Sequence, residues 1–256
     1  MTTVTRSLIA VSCVLALVGF ASVASAGAPT PKADPDALQI LKGMTDYLGG
    51  LKSFSMHTEN SFEDVLDTGQ KIQYDFASSV VIQRPDKLRA ERMDGDVRQD
   101  LVYNGETLTV YEGAKDFFAV ISVPDNLDDT LTFSRDALDL VPPAGDMVYT
   151  NAYELLTAGV TSGFVVGKAV IGGISCTQLA FTTPVVDWQV WVADGGKPLP
   201  VKYVLTTRDD PAQPQFIALI SNWNTDPMIP DGLFDLKVPA TATEIEFVRI
   251  DVETVD

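Results

Sequence analysis

Apolar and polar residues alternate with a period of two over most of this chain. The alternation runs through segments at about 52–65, 70–83, 87–93, 97–103, 107–112 and 116–123, and again at about 163–171, 174–182, 186–193, 199–207 and 214–223. A period of two places successive side chains on opposite faces of an extended strand. The pattern therefore predicts about eleven strands.

Short polar turns separate these segments, among them DTGQ, QRPD, DGD and NGE. Asp-Gly and Asn-Gly between two alternating segments favour tight hairpins, because both turn residues tolerate positive φ. Strands joined by such turns are antiparallel neighbours. The spacing predicts an antiparallel meander.

Two regions have helical spacing instead. Asp34-Pro35 is typical of a helix cap followed by proline at the first position, and Gly49-Gly50 ends the apolar spacing, so we predict a helix over 35–48. Residues 126–158 space their apolar positions three and four apart around Pro142-Pro143. They predict two helices inserted midway through the sheet.

A meander of this length curls, and its apolar face needs a cover. The three helices are the elements that can supply it. The fold class predicted is mainly β (α+β), a highly curved antiparallel sheet forming an unclosed half barrel, with helices over the concave face. Without repeats or low-complexity linkers, we expect a single domain over 35–250.

The stretch DWQVWVADGGKPLP predicts a hairpin at the rim of this sheet. Pro198 and Pro200 both lack an N–H on the same side of a strand, so a regular ladder cannot form there and we expect an edge or a bulge. Alternation separates the two tryptophans. We predict Trp188 beneath the helices and Trp191 on the outer face.

The N-terminus predicts export. Arg6 precedes an apolar segment, and Ala24-Ser25-Ala26 is typical of a signal peptidase site, so residues 1–26 are predicted to be a signal peptide cleaved after Ala26. Lipidation at Cys13 is the alternative. Residues 27–34 are expected to form a disordered leader, no later segment is long enough for a transmembrane helix, and the periplasm is the expected compartment.

Charge and residue counts exclude several kinds of chemistry. A net charge of −17 disfavours nucleic acid as a partner. His57 and Cys176 are the one histidine and the one cysteine after residue 26, so we predict no metal site, no disulfide, no cofactor and no catalytic residues. A hydrolase that uses two carboxylates stays open, because such pairs have no sequence signature.

Apolar and aromatic side chains on the strands are abundant. They form a core, or they line an apolar cavity if the helices sit loosely on the concave face. The residues predicted to line such a ligand-binding cavity are Phe76, Leu101, Tyr103, Leu108, Val110, Phe118, Leu138, Leu155, Phe164, Leu179, Phe181, Trp188, Val190, Tyr203 and Phe216.

Several stretches resemble one known family, the domain-of-unknown-function family 2092 of predicted periplasmic proteins, which is similar in fold to the LolA, LolB and LppX-like lipoprotein carriers. The matching stretches include QRPDKLRAE, YNGETLTVYEGAKDFFA, GKAVIGGISCTQLAF, VDWQVWVADGGKPLPVKYV and PDGLFDLKVPATATEI. They cover nearly the whole chain after the signal peptide, in order. The resemblance implies an unclosed curved sheet with helices as a lid over a hydrophobic cavity.

The resemblance also implies function. The related carriers bind acyl chains in this cavity, so we expect a non-catalytic periplasmic carrier, monomeric, with a hydrophobic small molecule, lipid or lipoprotein as ligand and possible contact with another envelope protein. In LolA an arginine on the sheet holds the lid shut, and Arg89 is the candidate here; the alternative is a solvated strand charge. Gln178 stands where relatives often have histidine, which disfavours catalysis.

A second hypothesis needs no ligand. The concave side could be filled by its own side chains, in which case the protein is a scaffold or interaction module of the cell envelope. The volume of the space beneath the helices distinguishes the two hypotheses.

Overall fold

One sheet dominates the computed structural model, which describes residues 32–138, 140 and 144–247. The predicted signal peptide, most of the leader, Pro142-Pro143 and the end of the predicted domain lie outside these residues. The strands described are β1 (Lys32–Ala33), β2 (Ser53–Val65), β3 (Lys71–Gln83), β4 (Lys87–Asp94), β5 (Val97–Tyr103), β6 (Thr107–Glu112), β7 (Phe117–Ser122), β8 (Ser162–Ile171), β9 (Ile174–Thr182), β10 (Val186–Ala193), β11 (Pro200–Thr207), β12 (Gln215–Asn224) and β13 (Thr243–Glu244).

The eleven strands predicted from alternation are all present. They form two antiparallel meanders, β2 to β7 and β8 to β12, which join where β12 pairs with β2. The two short strands were not predicted. Each adds a parallel strand at one edge, β1 beside β8 and β13 beside β7.

The helices are α1 (Pro35–Gly49), α2 (Leu127–Leu138) and α3 (Ala152–Thr157), with a 3-10 helix η1 (Gly145–Met147) before α3. The segment from α2 to α3 connects β7 near one edge of the sheet to β8 near the other. It therefore has to cross a whole face of the sheet. This connection, with α1, supplies the predicted cover of the concave face.

The caps explain why these helices begin where they do. The side chain of Asp34 accepts a hydrogen bond of 2.9 Å from the Asp36 N–H, and Pro35 occupies the first turn. Asn126 accepts one of 2.9 Å from the Asp129 N–H. Asp128 and Asp129 lie in the first turn of α2, where the helix dipole favours carboxylates.

The rim hairpin between β10 and β11 contains the bulge that its prolines predicted. The register shifts between Trp191 and Val192, where Trp191 pairs with Lys202 and Val192 with Pro200. Trp188 lies in the main core and Trp191 in a second, smaller cluster with Cys176, Val201 and Val204. The predicted separation of the two tryptophans is confirmed.

Candidate functional site

The main hydrophobic cluster fills the space between the concave face and the helices. Leu41, Met44 and Leu48 of α1, with Leu127 and Leu131 of α2, are buried against it. The sheet contributes alternate residues of its central strands, such as Phe54, Met56 and Ile82. An apolar face that would be exposed in the sheet alone is thus removed from water by the helices.

A small cavity remains at the boundary between sheet and helices, with a volume of about 10 Å³. That is room for about one water molecule. Its lining is apolar throughout and consists of Leu48, Phe54, Met56, Ala144, Met147, Val148, Pro200, Ile220 and Trp223. Around this cavity the buried side chains of the main cluster pack between the sheet and the helices.

Arg84, directly after β3, joins the sheet to the helical cover. Its Nη2 donates a hydrogen bond of 2.5 Å to the carbonyl oxygen of Val148, which follows η1. Its Nη1 lies 3.9 Å from Oδ1 of Asp128 in α2, and the guanidinium carbon lies 6.0 Å from the ring centroid of Phe54. One side chain therefore contacts the sheet, α2 and the turn before α3.

Burial of the charged Arg84 side chain costs free energy of desolvation. Desolvation lowers the pKa of the Arg84 guanidinium from its ordinary value, and the Asp128 carboxylate opposes that shift. Its Nε is buried and has no hydrogen-bond partner among the described residues. Asp128 also accepts from the N–H and hydroxyl of Thr150, so it connects α2 to the turn before α3.

A second ionisable group lies in the same cover. Burial raises the pKa of the Asp146 carboxyl in η1 above its ordinary value, and Arg135 of α2 partly opposes this. The buried phenol of Tyr203 on β11 has its pKa raised by burial and by the charge of Asp146. An acidic group of the cover therefore faces a low-dielectric core.

Most of the predicted lining residues lie under the helices. Tyr103, Leu108, Leu138, Leu179, Phe181, Trp188, Val190 and Tyr203 are buried in the main cluster. Leu101, Leu155 and Phe216 are partly buried against it. Whether these side chains contact a ligand stays a prediction.

Phe76 and Val110 share the concave face by alternation but lie outside the main cluster. Phe76 pairs with Asn60 in the long β2–β3 hairpin, and its ring centroid lies 6.2 Å from that of Phe62. The guanidinium carbon of Arg92 lies 4.0 Å from the Phe76 ring centroid. Val110 pairs with Leu101 and Ala119. Both are at the part of the sheet beyond the main cluster.

Phe118 and Phe164 do not line the concave side, and their predicted place there is wrong. Phe118 pairs with Tyr111, one residue out of phase with Leu108 and Ile121 of the core. Gly163, the residue before Phe164, faces the ring of Phe181 on the concave side. Alternation along the strand therefore places Phe164 on the convex side, where it is exposed. A side chain at Gly163 would overlap that ring, so Phe181 occupies the concave side at this point.

Arg89 is not the arginine that contacts the helices. It lies on the convex face, where Nη2 binds Oδ1 of buried Asp100 at 2.9 Å and Nε binds Glu91 at 3.0 Å. Its Nη1 donates to the Leu233 carbonyl at 3.2 Å. Arg89 thus holds the C-terminal segment against the back of the sheet, and the contact with the cover comes from Arg84.

None of the nine residues around the small cavity was in the predicted lining. Phe54 and Met56 of β2 lie beside Ile220 and Trp223 because β12 pairs with β2. No local sequence pattern predicts this pairing. The alternation of β2 placed Phe54 and Met56 on one face. The sequence did not indicate that β12 is the strand beside them.

Reactive side chains lie apart from this space. Nδ1 of His57 is 3.3 Å from the Ser79 hydroxyl on the convex face. Cys176 is buried, and desolvation raises the pKa of its thiol. Among the described residues no group of three or more His, Cys, Asp or Glu side chains could hold a metal ion.

A wider groove of about 410 Å³ lies on the convex face across β12, β2, β3 and β4. Glu59 and Asp75 border it together with Met93, Ile217 and Leu219. It is separated from the small cavity by the sheet itself. In the described part of the chain, no helix is both long and apolar enough to cross a membrane.

Comparison with known proteins finds one matching family and several solved structures with a similar fold. The family model of predicted periplasmic proteins (DUF2092) matches residues 37–248. The lipoprotein LppX of Mycobacterium tuberculosis is 19% identical over 78% of this chain and 100% of its own, with a TM-score of 0.50. LprF of Mycobacterium bovis is 15% identical over 79% and 99%, with a TM-score of 0.47.

A LolA superfamily protein of Nitrosomonas europaea is 13% identical over 77% of this chain and 96% of its own, with a TM-score of 0.40. No curated protein matches this chain in sequence. At these identities the similarity to LppX concerns the fold. The unclosed curved sheet with helices on its concave side, predicted from the sequence, is confirmed.

Proposed function

The chain belongs to the DUF2092 family of predicted periplasmic proteins, and from this premise we propose that it is a non-catalytic periplasmic carrier that binds a hydrophobic ligand, a lipid or the acyl chain of a lipoprotein, between its curved sheet and its helices. The observation that carries the proposal is the entirely apolar lining at the boundary between sheet and cover. Such a lining binds by burial of apolar surface, at about 0.8 kcal/mol per CH₂ group.

Adaptable side chains at this boundary support the proposal. Met44, Met56 and Met147 are all buried between the sheet and the helices. Methionine is unbranched and polarisable, so it repacks around ligands of different shape at low cost. A carrier that accepts acyl chains needs this property more than it needs fixed polar contacts.

The cover must move for a ligand to enter. Small-molecule pockets have volumes of about 300 Å³ or more, whereas the cavity here has about 10 Å³. Entry therefore requires η1 and α3 to leave the sheet, which breaks the hydrogen bond from Arg84 to Val148. On this proposal Arg84 stabilises the closed form, and ligand burial offsets its loss.

The placement of the reactive groups supports a non-catalytic function. The Cys176 thiol is buried on the face away from the helices, and its raised pKa keeps it protonated near neutral pH. His57 also lies on that face. Neither can act on a molecule bound under the helices, and a carboxylate hydrolase has no supporting observation here.

The small volume favours a second candidate function. If the concave side never opens, the protein is a rigid envelope module that presents its outer surfaces to other proteins. A closed core of ordinary packing density is what this function requires. Ligand binding decides between the two.

The test uses protein purified from its own periplasm. Native mass spectrometry identifies any co-purified lipid, and titration with the neutral fluorophore N-phenyl-1-naphthylamine avoids repulsion by the net charge of −17. Met56→Trp fills the space under the helices, and Leu219→Trp on the convex face is the matched control.

A carrier releases lipid on denaturation and binds the fluorophore, and Met56→Trp weakens binding while Leu219→Trp does not. Protein without lipid that ignores the fluorophore contradicts the carrier and supports the filled module. Equal loss in both variants would place the fluorophore elsewhere, and circular dichroism verifies that each variant is folded.

A further inference from the structure

Strand β8 forms an edge of the sheet that is open over most of its length. β1 pairs only with Ser162 and Gly163, and β9 lies on the other side. Among the described residues, no strand covers the outer side of β8 from Phe164 to Ile171.

This open edge is apolar on both of its faces. Phe164, Val166 and Val170 are 54%, 47% and 68% exposed. Phe164 and Ile171 lie on the convex side, where Ile171 packs near Cys176, whereas Val165 and Val170 pair with Leu179 and Ser175 on the concave side. Exposed apolar side chains beside an unpaired backbone are what an added strand contacts.

The usual protection of an edge strand is weak here. Residues 155–186 contain no Asp or Glu, although the chain has 35 acidic residues, and Lys168 is the one charged residue of that segment. Its ammonium binds Asp194 at 2.7 Å and Thr177 at 2.8 Å. No proline occurs between residues 144 and 183. The bulge between Val165 and Gly167 is the one irregularity of the β8–β9 ladder.

From this edge we propose that two copies of the chain associate through their β8 strands, antiparallel and around a two-fold axis, so that the two sheets become continuous. The occupant is a second copy because the edge is self-complementary. Pairing Gly167 with Ile171 of the second copy, and Lys168 with Val170, keeps convex residues opposite convex and concave opposite concave. A closed two-fold pairing uses up both edges and ends at a dimer.

Charge supports the same occupant. Two copies of an acidic protein repel each other over most of their surfaces, and the segment without carboxylates is where that repulsion is lowest. A basic partner strand would find no carboxylate along β8 to pair with. The five paired residues from Gly167 to Ile171 make a small interface, so the dimer should be reversible and depend on concentration.

The contrast between the two edges provides a matched control. At the opposite edge β13 covers Phe117 and Phe118 of β7, and Val120 beyond them is 41% exposed. Val170→Lys places a charge on the proposed interface, and Val120→Lys places the same charge on the other edge. Both residues are exposed, so neither substitution disturbs the core.

Sedimentation velocity of the full exported protein from about 1 to about 200 μM tests the proposal. We expect a shift from monomer to dimer, a dissociation constant raised at least about tenfold by Val170→Lys, and no change with Val120→Lys. Hydrogen exchange of residues 168–171 should slow as the concentration rises.

A chain that stays monomeric throughout overturns the proposal, as does a dimer that Val170→Lys leaves intact or species that grow beyond the dimer. The result is independent of ligand binding, because Val170 lies outside the main cluster beneath the helices. A monomer would leave the carrier proposal standing, and a dimer without lipid would leave this one standing.

Discussion

The Nη2 of Arg84 lies 2.5 Å from the carbonyl oxygen of Val148, so a residue at the end of β3 holds the turn that follows η1. The two residues are 64 positions apart in the chain. The bond joins the first meander to the segment that crosses the concave face. It couples the position of the cover to the sheet through one side chain.

Replacing Arg84 by methionine should loosen the cover while the sheet stays intact. The side chain keeps much of its apolar stem but loses the bond to Val148 and the charge near Asp128. We expect about tenfold faster hydrogen exchange in residues 145–157, equivalent to about 1.4 kcal/mol of local stability.

Arg208→Met is the control for this variant, because the Arg208 guanidinium also donates to a main-chain carbonyl, that of Thr183, at 2.8 Å. Arg208 directly follows β11, so its replacement should leave the exchange of residues 145–157 unchanged. Unchanged exchange there in Arg84→Met would contradict the role of Arg84.

Stability should depend on pH through Asp146. Since burial raises the pKa of this carboxyl above its ordinary value of 3.8, the folded state binds more protons than the unfolded state between the two pKa values. The stability that this carboxyl contributes is therefore fully present below about pH 3.8, and it is lost as the pH rises through the folded-state pKa.

Asp146→Asn removes this penalty. We expect it to raise the free energy of unfolding at pH 7, with the difference from the native chain shrinking as the pH falls toward 4. Urea unfolding at several pH values measures this. Asp136→Asn, at an exposed carboxylate paired with Arg135, is the control. A difference for Asp146→Asn that stays constant with pH, or one that the control reproduces, would refute the assignment.

Gly163→Ala should destabilise the fold because the added methyl group would overlap the ring of Phe181. That ring stacks on Trp188 with 4.3 Å between centroids, so it has little room to move. We expect a loss of about 1–3 kcal/mol in thermal or urea unfolding. Gly196→Ala should cost clearly less, because among the described residues no atom beyond its two chain neighbours lies within 4 Å of the added carbon. Equal costs would argue against this packing.

Asp100→Ala should weaken the attachment of the C-terminal segment. The carboxylate is buried and binds Arg89 at 2.9 Å and Arg98 at 3.2 Å, and Arg89 in turn donates to the Leu233 carbonyl. Removing one member of a buried charged group costs about 3–5 kcal/mol when the other is left unpaired, and Glu91 reduces that cost here.

Limited proteolysis around residues 225–242 and urea unfolding measure this effect. We expect faster cleavage and a loss of about 2 kcal/mol. Asp46→Ala, which breaks an exposed pair with Lys42, should change neither quantity. Cleavage at the native rate in Asp100→Ala would show that the segment is held by other contacts.

What the sequence determined by itself is the set of elements and the face of each residue. Turn residues such as Asp-Gly and Asn-Gly and the period of two act over a few residues, so eleven strands, the capped helix after Asp34 and the opposite faces of Trp188 and Trp191 could be predicted. The bulge at Pro200 followed from its missing N–H. These features depend on local chemistry.

Tertiary structure decided which elements meet. The pairing of β12 with β2 brings Phe54 beside Trp223 and completes the small cavity, and the crossing of the insertion brings Val148 to Arg84. Phe181 over Gly163 decided that Phe164 points outward. Such contacts join residues far apart in the chain, and no local period encodes them, because they arise only when the sheet curls and the helices pack on it.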